Sequence, residues 1–134
     1  MKTKLQKRKD NPNSGYWRRK ANEEWRKRVI AWWHGKCAIG DVGISRCAGK
    51  LECHHLITRS VRSLANDTRN GILLCSNHHK FCSHLSAHKA PLAFAEWLDT
   101  EHASISAWVK ANKWTVGKAD FRGDYQRLDC PRID

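Results

Sequence analysis

The sequence predicts an α+β fold, in which a short two-stranded hairpin and a following helix form a small core between N-terminal and C-terminal helices. Apolar stretches at 51–57 and 72–74 have the length of short strands, and Asn70-Gly71 before the second stretch is a turn signal. Apolar residues recur at helical spacing on either side, over 16–34 and 91–114. The length of 134 residues suits one compact domain.

The charge is strongly basic and unevenly distributed. The chain has 25 Lys and Arg against 13 Asp and Glu, and residues 1–36 carry 12 basic and 3 acidic residues, a net charge of +9. This excess favours an acidic polymer such as DNA as partner, although a solvated basic tail is the alternative. We expect residues 1–15 to form a flexible basic arm and residues 16–134 a single domain with its core motif at 37–98. The candidate DNA-binding residues are Lys7, Arg8, Lys9, Arg18, Arg19, Arg59 and Arg62.

The apolar content argues against a membrane protein. No apolar run approaches the ~20 residues of a membrane helix, and no signal-peptide segment follows the basic N-terminus. We therefore expect a cytoplasmic protein. In a reducing cytoplasm the six cysteines are metal ligands or free thiols rather than disulfides.

A stripe of large apolar residues marks the N-terminal helix, and Gly35 is placed to end it. The stripe consists of Trp17, Ala21, Trp25, Val29, Trp32 and Trp33. Packing in the core is the favoured interpretation, because aromatic side chains dominate small cores. Stacking on nucleotide bases is the alternative.

Cysteine and histidine residues predict a structural zinc site. The stretch 37–50 contains three glycines and two cysteines, which is typical of loops that wrap a zinc ion. Its two cysteines can share an ion with a Cys and a His that lie three residues apart where the second strand meets the following helix. The four candidate ligands are Cys37, Cys47, Cys75 and His78, with Cys53 and Cys82 as further candidates. The alternative is that these cysteines are ordinary buried thiols.

Histidines are concentrated in the middle of the chain, since residues 51–92 contain six of the eight. Neutral imidazoles bind metals and accept protons near pH 7. His54 and His55 lie in the first predicted strand, where adjacent side chains point to opposite faces. We therefore expect one of them to bind a metal while the other faces a substrate.

This pattern resembles the HNH endonucleases, whose ββα-metal motif has a His pair or an Asp-His pair on the first strand, an Asn in the connecting loop and a His on the helix. The matching residues are His54, His55, Asn70 and His79, and the last two have the nine-residue separation usual in the family. The stretch LCSNHH at 74–79 resembles the common LCxxCH, with a His in place of the second Cys. HKAPLAFAEWL at 88–98 is similar to a segment of small phage-type members, so the resemblance covers 37–98.

The resemblance implies a DNA endonuclease that nicks or cuts double-stranded DNA with a histidine general base and one divalent metal. It implies that His55 is the base, fixed through hydrogen bonds of Asn70 across the loop, and that His54 and His79 bind the metal. His88 is favoured as the third ligand over His84. The implied ion is Mg²⁺ or Mn²⁺, with Ni²⁺ or Zn²⁺ as alternatives, beside the structural Zn²⁺.

Two other functions remain open from the sequence. The first is a zinc-stabilised nucleic-acid-binding module without catalysis, which would have no use for a second histidine beside a ligand. The second is a junction-resolving nuclease, which differs in its substrate rather than in its chemistry. If the chain is phage-encoded, its expected location is the host cytoplasm.

Overall fold

The fold was analysed in a computed structural model, which describes residues 1–127. Its elements are α1 (Lys4–Asp10), α2 (Gly15–Trp32), β1 (Leu51–His54), β2 (Ile72–Cys75), α3 (Pro91–Glu101), α4 (Ala103–Asn112) and α5 (Phe121–Gln126). β1 and β2 pair as an antiparallel hairpin. The predicted α+β class, with a hairpin between N-terminal and C-terminal helices, is confirmed.

The N-terminal segment is more regular than the sequence analysis predicted. Thr3 and Gln6 form a capping box, in which each side chain accepts a hydrogen bond from the other residue's backbone N–H, at 3.1 and 2.8 Å. The indole Nε1 of Trp17 donates to the carbonyl of Lys9 at 2.8 Å and ties α1 to α2. The expectation of an arm without regular structure is therefore wrong for Lys4–Asp10, although none of these seven residues is buried.

The amphipathic helix predicted at 16–34 is present as α2. Ala21, Trp25 and Val29 lie one turn apart and are buried, which agrees with core packing of the tryptophan stripe. Gly35 follows the helix with φ of +66° and donates its N–H to the carbonyl of Ile30 at 2.9 Å, so it ends the helix as predicted.

Strand β2 is the centre of the core, because all four of its residues are buried. Leu73 packs against Trp25 and Val29 of α2. Ile72 and Leu74 point to the opposite face and pack against apolar residues of α3 and α4. A strand covered on both faces reads as a continuous apolar run, as this one does.

Gly71 is needed for close packing rather than for a turn conformation. Its φ is not positive. A Cβ at this position would overlap Val29 Cγ2 and would lie 2.9 Å from Cζ2 of Trp25. The absence of a side chain therefore lets α2 approach the start of β2.

The element that follows β2 needs correction. The helix expected to follow Cys75 is a single π-helical turn at Asn77–Phe81, which is too short to bury an apolar face. A further helix, α5 at Phe121–Gln126, was not predicted from the sequence and packs against α2.

The C-terminal helices agree with the predicted pair. Pro91 occupies the first turn of α3, where its missing N–H costs nothing, and the helix breaks at His102 before α4. Within residues 1–127, no helix is both long and apolar enough to cross a membrane.

Replacement of Gly71 tests this close packing. Gly71→Ala should lower the free energy of unfolding by about 1–3 kcal/mol, because the new methyl group must displace Val29 and Trp25. Urea denaturation measures the effect. Gly15→Ala is the control, since its Cβ would make only an ordinary contact of 3.6 Å with Arg19. Equal stability of the two variants would contradict the packing argument.

Candidate functional site

Four side chains that are distant in sequence meet in one cluster beside the hairpin. The Sγ atoms of Cys37, Cys47 and Cys75 lie 3.5, 3.7 and 3.3 Å from Nδ1 of His78. In a tetrahedral site with Zn–S of ~2.3 Å and Zn–N of ~2.0–2.1 Å, a sulfur and a nitrogen ligand lie roughly 3.5 Å apart. The cluster therefore has the donor set and the spacing to hold a metal ion, and it contains the four residues proposed from the sequence.

The outer nitrogen of His78 is also held in place. Its Nε2 lies 2.7 Å from Oγ of Ser45. In the tautomer that keeps the lone pair of Nδ1 directed at the thiols, Nε2–H donates to this hydroxyl. His78 is fully buried and Ser45 is 4% exposed. Burial also lowers the pKa of His78, so the ring is neutral and able to bind a metal.

The thiols of this cluster are close enough to disfavour one another's ionisation. Burial, together with the neighbouring Cys37 and Cys75, raises the pKa of Cys47 to about 12. A bound cation reverses this effect, because thiolates are stable beside a positive charge. Cys53 and Cys82, the further candidates, are not members of the cluster among the described residues.

A second cluster contains three imidazoles. His54 Nδ1 and His79 Nε2 lie 3.2 Å apart, and a nitrogen of His88 completes a group whose ligand atoms all fall within 4.8 Å of one another. Two nitrogen ligands of one tetrahedral ion lie roughly 3.3 Å apart when Zn–N is ~2.0–2.1 Å. This cluster too has the geometry to hold an ion, with the two ligands implied by the resemblance and with His88 as the third.

Glu52 orients this cluster. Its Oε1 accepts a hydrogen bond from Nδ1–H of His79 at 3.0 Å, so Nε2 of the same ring keeps its lone pair. The register pairs Glu52 with Leu74 and His54 with Ile72, which places both β1 side chains on one face of the hairpin. Lys80 holds the second oxygen of Glu52 at 3.3 Å.

His54 and His79 are neutral near pH 7. Burial, together with repulsion from His79 and His88, lowers the pKa of His54 to about 3. Burial also lowers the pKa of His79, although the hydrogen bond that His79 donates to Glu52 opposes the shift. Neutral rings are the form that binds metals.

The backbone places His88 rather than His84 in the cluster. The N–H groups of Ala87 and His88 donate to the carbonyls of His78 and His79, both at 2.9 Å. Residues 82–86 therefore loop out, and the chain returns alongside the π-helical turn. His84 is exposed on this loop, and its Nδ1 lies 3.3 Å from Oγ of Ser83.

His55 lies on the other face of the strand, as strand alternation predicts. Its Nε2–H donates to the carbonyl of Ala65 at 2.7 Å, which leaves Nδ1 as the nitrogen able to accept a proton. Its ring stacks on Trp25 with centroids 4.0 Å apart and an interplanar angle of 11°. Burial lowers the pKa of His55, so this imidazole is also neutral at pH 7.

Asn70 secures the loop that holds His55. Its Oδ1 accepts from the N–H of Ile57 at 2.5 Å, and its Nδ2 donates to the carbonyls of Ile57 and Leu64 at 3.0 Å each. It is fully buried and makes no direct contact with the imidazole. Asn70 therefore supports His55 indirectly. It holds the carbonyl of Leu64, and the carbonyl of the next residue, Ala65, accepts the hydrogen bond from His55.

A single cleft of about 560 Å³ joins the two faces of the strand. His55 lines it from one side and the three-imidazole cluster lines it from the other. Its other polar lining residues are Asn22, Arg26, Glu52, Cys53, Thr58 and Arg59. A substrate in this cleft can therefore contact a proton acceptor and a metal site together.

The predicted DNA-binding residues occupy two places. Arg18, Arg19, Arg59 and Arg62 line a smaller pocket of about 160 Å³ that also borders His55. Lys7, Arg8 and Lys9 lie in the last turn of α1 and are exposed. They line neither the cleft nor the pocket.

The middle of the chain matches a known protein family. Residues 37–87 match the family model described as HNH endonuclease. This segment of the chain belongs to the HNH endonuclease family. It contains both strands, the cysteine cluster and all of the imidazole cluster except His88. No curated protein and no solved structure matches the chain.

Sequence analysis of this HNH segment and its surroundings missed three supporting residues. Glu52 could have been predicted from the sequence. It lies two residues before His54 in the same strand, so the two side chains must point to the same face. Trp25 was predicted to lie in the core, but its contact with His55 depends on how α2 crosses the hairpin. Ser45 carries no signal, because a serine in a glycine-rich loop is ordinary.

Replacement of Asn70 tests its role in holding the loop. Asn70→Ala should lower the free energy of unfolding by roughly 2–3 kcal/mol, because the buried backbone N–H and C=O of Ile57 lose their partner. The carbonyl of Leu64 loses one hydrogen bond and keeps the one from the N–H of Asp67. The matched control is Asn22→Ala in α2, with an expected change under about 0.5 kcal/mol. Urea unfolding compares the two, and an Asn70→Ala midpoint equal to that of wild type would contradict the role.

Proposed function

We propose that this chain is a metal-dependent endonuclease that hydrolyses phosphodiester bonds of double-stranded DNA. The observation that carries the proposal is the placement of His55 and the three-imidazole cluster on opposite sides of one cleft. Hydrolysis of a phosphodiester needs a proton acceptor for the attacking water and positive charge near the phosphate. This cleft offers both.

His55 is proposed as the general base. Its Nδ1 takes a proton from the attacking water, the water oxygen forms a bond to phosphorus, and the bond from phosphorus to the leaving oxygen breaks. The carbonyl of Ala65 and the ring of Trp25 hold the imidazole in one orientation during this transfer. Asn70 is the positioning residue that fixes the loop behind it.

His54, His79 and His88 are proposed as the ligands of the catalytic metal. A divalent ion bound by these three imidazoles would supply positive charge near the phosphate and the leaving oxygen. Three imidazoles suit Ni²⁺ or Zn²⁺ better than Mg²⁺ or Mn²⁺, which prefer oxygen ligands. The three-imidazole donor set therefore favours Ni²⁺ or Zn²⁺ over the Mg²⁺ or Mn²⁺ that the family resemblance implies.

Cys37, Cys47, Cys75 and His78 are proposed as a structural zinc site. The loop 37–50 that carries two of these ligands has one fully buried residue, Ser45. Cys37, Ala38 and Ile39 pack against the main core, but residues 40–50 bury no apolar side chain, so apolar packing contributes little to the position of this part of the loop. Zinc held by three thiolates and an imidazole stabilises it, because the binding energy of such a site adds to the folding energy.

The duplex is proposed to lie across the exposed cations next to the cleft. Lys7, Arg8 and Lys9 of α1, together with arginines of α2 and of the loop after β1, supply positive charge for phosphates. This contribution is independent of base sequence. It accounts for affinity and orientation rather than for a particular cleavage site.

Replacement of the proposed base tests the reaction. His55→Ala should reduce cleavage of supercoiled plasmid about 10²–10⁴-fold, which is the usual contribution of general-base catalysis. Assays with Mg²⁺, Mn²⁺, Ni²⁺ and Zn²⁺ cover the candidate ions. Binding of a duplex oligonucleotide should remain close to wild type, because no phosphate contact is lost.

His84→Ala is the matched control for this test, since it removes an exposed imidazole outside both clusters. It should cleave plasmid at the wild-type rate. Unchanged cleavage by His55→Ala would rule out His55 as the base. A wild-type protein that binds DNA but cleaves none with any of the four ions would instead favour the non-catalytic binding module.

Metal removal should separate the two proposed ions. Brief chelation should abolish cleavage and leave about one zinc per chain, because a thiolate site releases its ion more slowly than an open imidazole site. Addition of a divalent ion should restore cleavage. Cys75→Ser should lose the zinc and melt at a lower temperature, whereas His79→Ala should remain zinc-loaded and be inactive.

Cys53→Ser is the control for the thiol change, since Cys53 is half-buried but lies outside both clusters. Mass spectrometry of the metal content, thermal melting and plasmid cleavage are compared on the same preparations. Zinc-free wild-type protein that melts cooperatively and cleaves DNA would refute the structural site. The proposed nuclease activity would survive that result.

A further inference from the structure

The smaller pocket has an unusual lining. Four guanidinium groups border it: two from α2 and two from the loop after β1, namely Arg18, Arg19, Arg59 and Arg62. Asn22, His55, Ala65, Asn66 and Phe121 complete the lining. No carboxylate is among these residues, so the pocket concentrates positive charge.

No carboxylate neutralises any of the four pocket arginines within the described residues. By contrast, Arg46, Arg69 and Arg127 each pair with an aspartate. Unpaired guanidiniums that converge on a concave surface repel one another, and an anion bound among them relieves that repulsion.

The pocket is continuous with the catalytic cleft but separate from the metal cluster. Asn22, His55 and Arg59 line both cavities, whereas none of the metal-cluster histidines lines the pocket. His55 therefore lies between the two sites. The pocket volume of about 160 Å³ is under a third of the 560 Å³ of the cleft, which is small for a length of strand.

We propose that the arginine pocket binds one non-scissile phosphate of the nucleic acid, on the side of His55 opposite to the metal cluster. This proposal rests on the proposed function for the position of the scissile phosphate. Guanidinium groups bind phosphate oxygens in bidentate geometry, and two elements that each contribute arginines can hold one phosphate from two sides. The pocket then fixes the strand in register with the base.

The proposal also gives a function to the N-terminal helix. Arg18 and Arg19 belong to α2, which lies outside the segment that matches the HNH family model. The same helix contributes Trp25 against His55. A phosphate held against α2 is therefore held against the element that also positions the base.

The salt dependence of DNA binding tests whether one phosphate or two is bound. Full-length protein without divalent ions in the buffer is titrated with a duplex oligonucleotide at several salt concentrations. Each phosphate contact contributes a slope of ~0.9 to log K against log salt. If Arg18 and Arg62 share one phosphate, the double variant R18Q/R62Q should lose a slope of about 0.9, and each single variant less.

Inorganic phosphate gives an independent test in the absence of DNA. At constant ionic strength, replacement of chloride by phosphate should raise the melting temperature of the wild-type protein, because a ligand that binds only the folded state stabilises it. R18Q/R62Q should lose this rise. R28Q/K36Q, which removes the same charge from two exposed residues outside both cavities, should keep it.

Two outcomes would overturn the proposal. One is a loss of slope of about 1.8 in R18Q/R62Q, with about 0.9 in each single variant, which would mean separate phosphates on an open surface. The other is the same phosphate response in R18Q/R62Q and wild type, with both folded and zinc-loaded to the same extent. Neither measurement requires cleavage. A protein that binds phosphate in the pocket but cuts no plasmid would therefore contradict the proposed nuclease activity and still support phosphate binding by the pocket.

Discussion

The alternation of side chains along one four-residue strand determines how this site is built. His54 ends β1 on the face that carries Glu52, and His55 follows on the face toward α2. Two adjacent residues are thus directed into different environments without any turn between them. Each face then needs its own cover: α2 packs over one, and α3 with α4 packs over the other. The buried strand β2 holds both layers together.

The hairpin alone cannot organise the segments that supply the remaining ligands. Residues 40–50 and the π-helical turn at Asn77–Phe81 bury no apolar side chain, so apolar packing contributes little to their position. His78 and His79, adjacent within that turn, face the cysteine cluster and the imidazole cluster respectively. An ion in the first cluster would therefore also fix the backbone that carries a ligand of the second. A structural metal and a catalytic metal would therefore be coupled through this single π-helical turn. In a small domain, the position of one metal site would then restrict the position of the other.

The elements that were predicted correctly are those with a local physical signal. The apolar period of α2 and the opposite faces of His54 and His55 follow from side-chain geometry alone. The elements that were not predicted depend on distant contacts. Helix α5 has six residues and is held by α2, so no period marks it. His88 was favoured over His84 only through the family resemblance, because no sequence spacing encodes the backbone hydrogen bond that places His88 beside His79.

The N-terminal helix is as important to the site as the HNH segment itself. A β1–β2 hairpin exposes the second histidine of its pair unless another element covers that face. Trp25 provides the cover, and its indole N–H donates to the carbonyl of Asp67 at 3.0 Å, in the loop that also holds His55 through Ala65. One buried side chain thus contacts the imidazole and braces its support. Arg18 and Arg19, about two turns earlier on the same helix, line the adjoining pocket. Because α2 carries both contacts, movement of this helix would displace the proposed base and two of the four pocket arginines together.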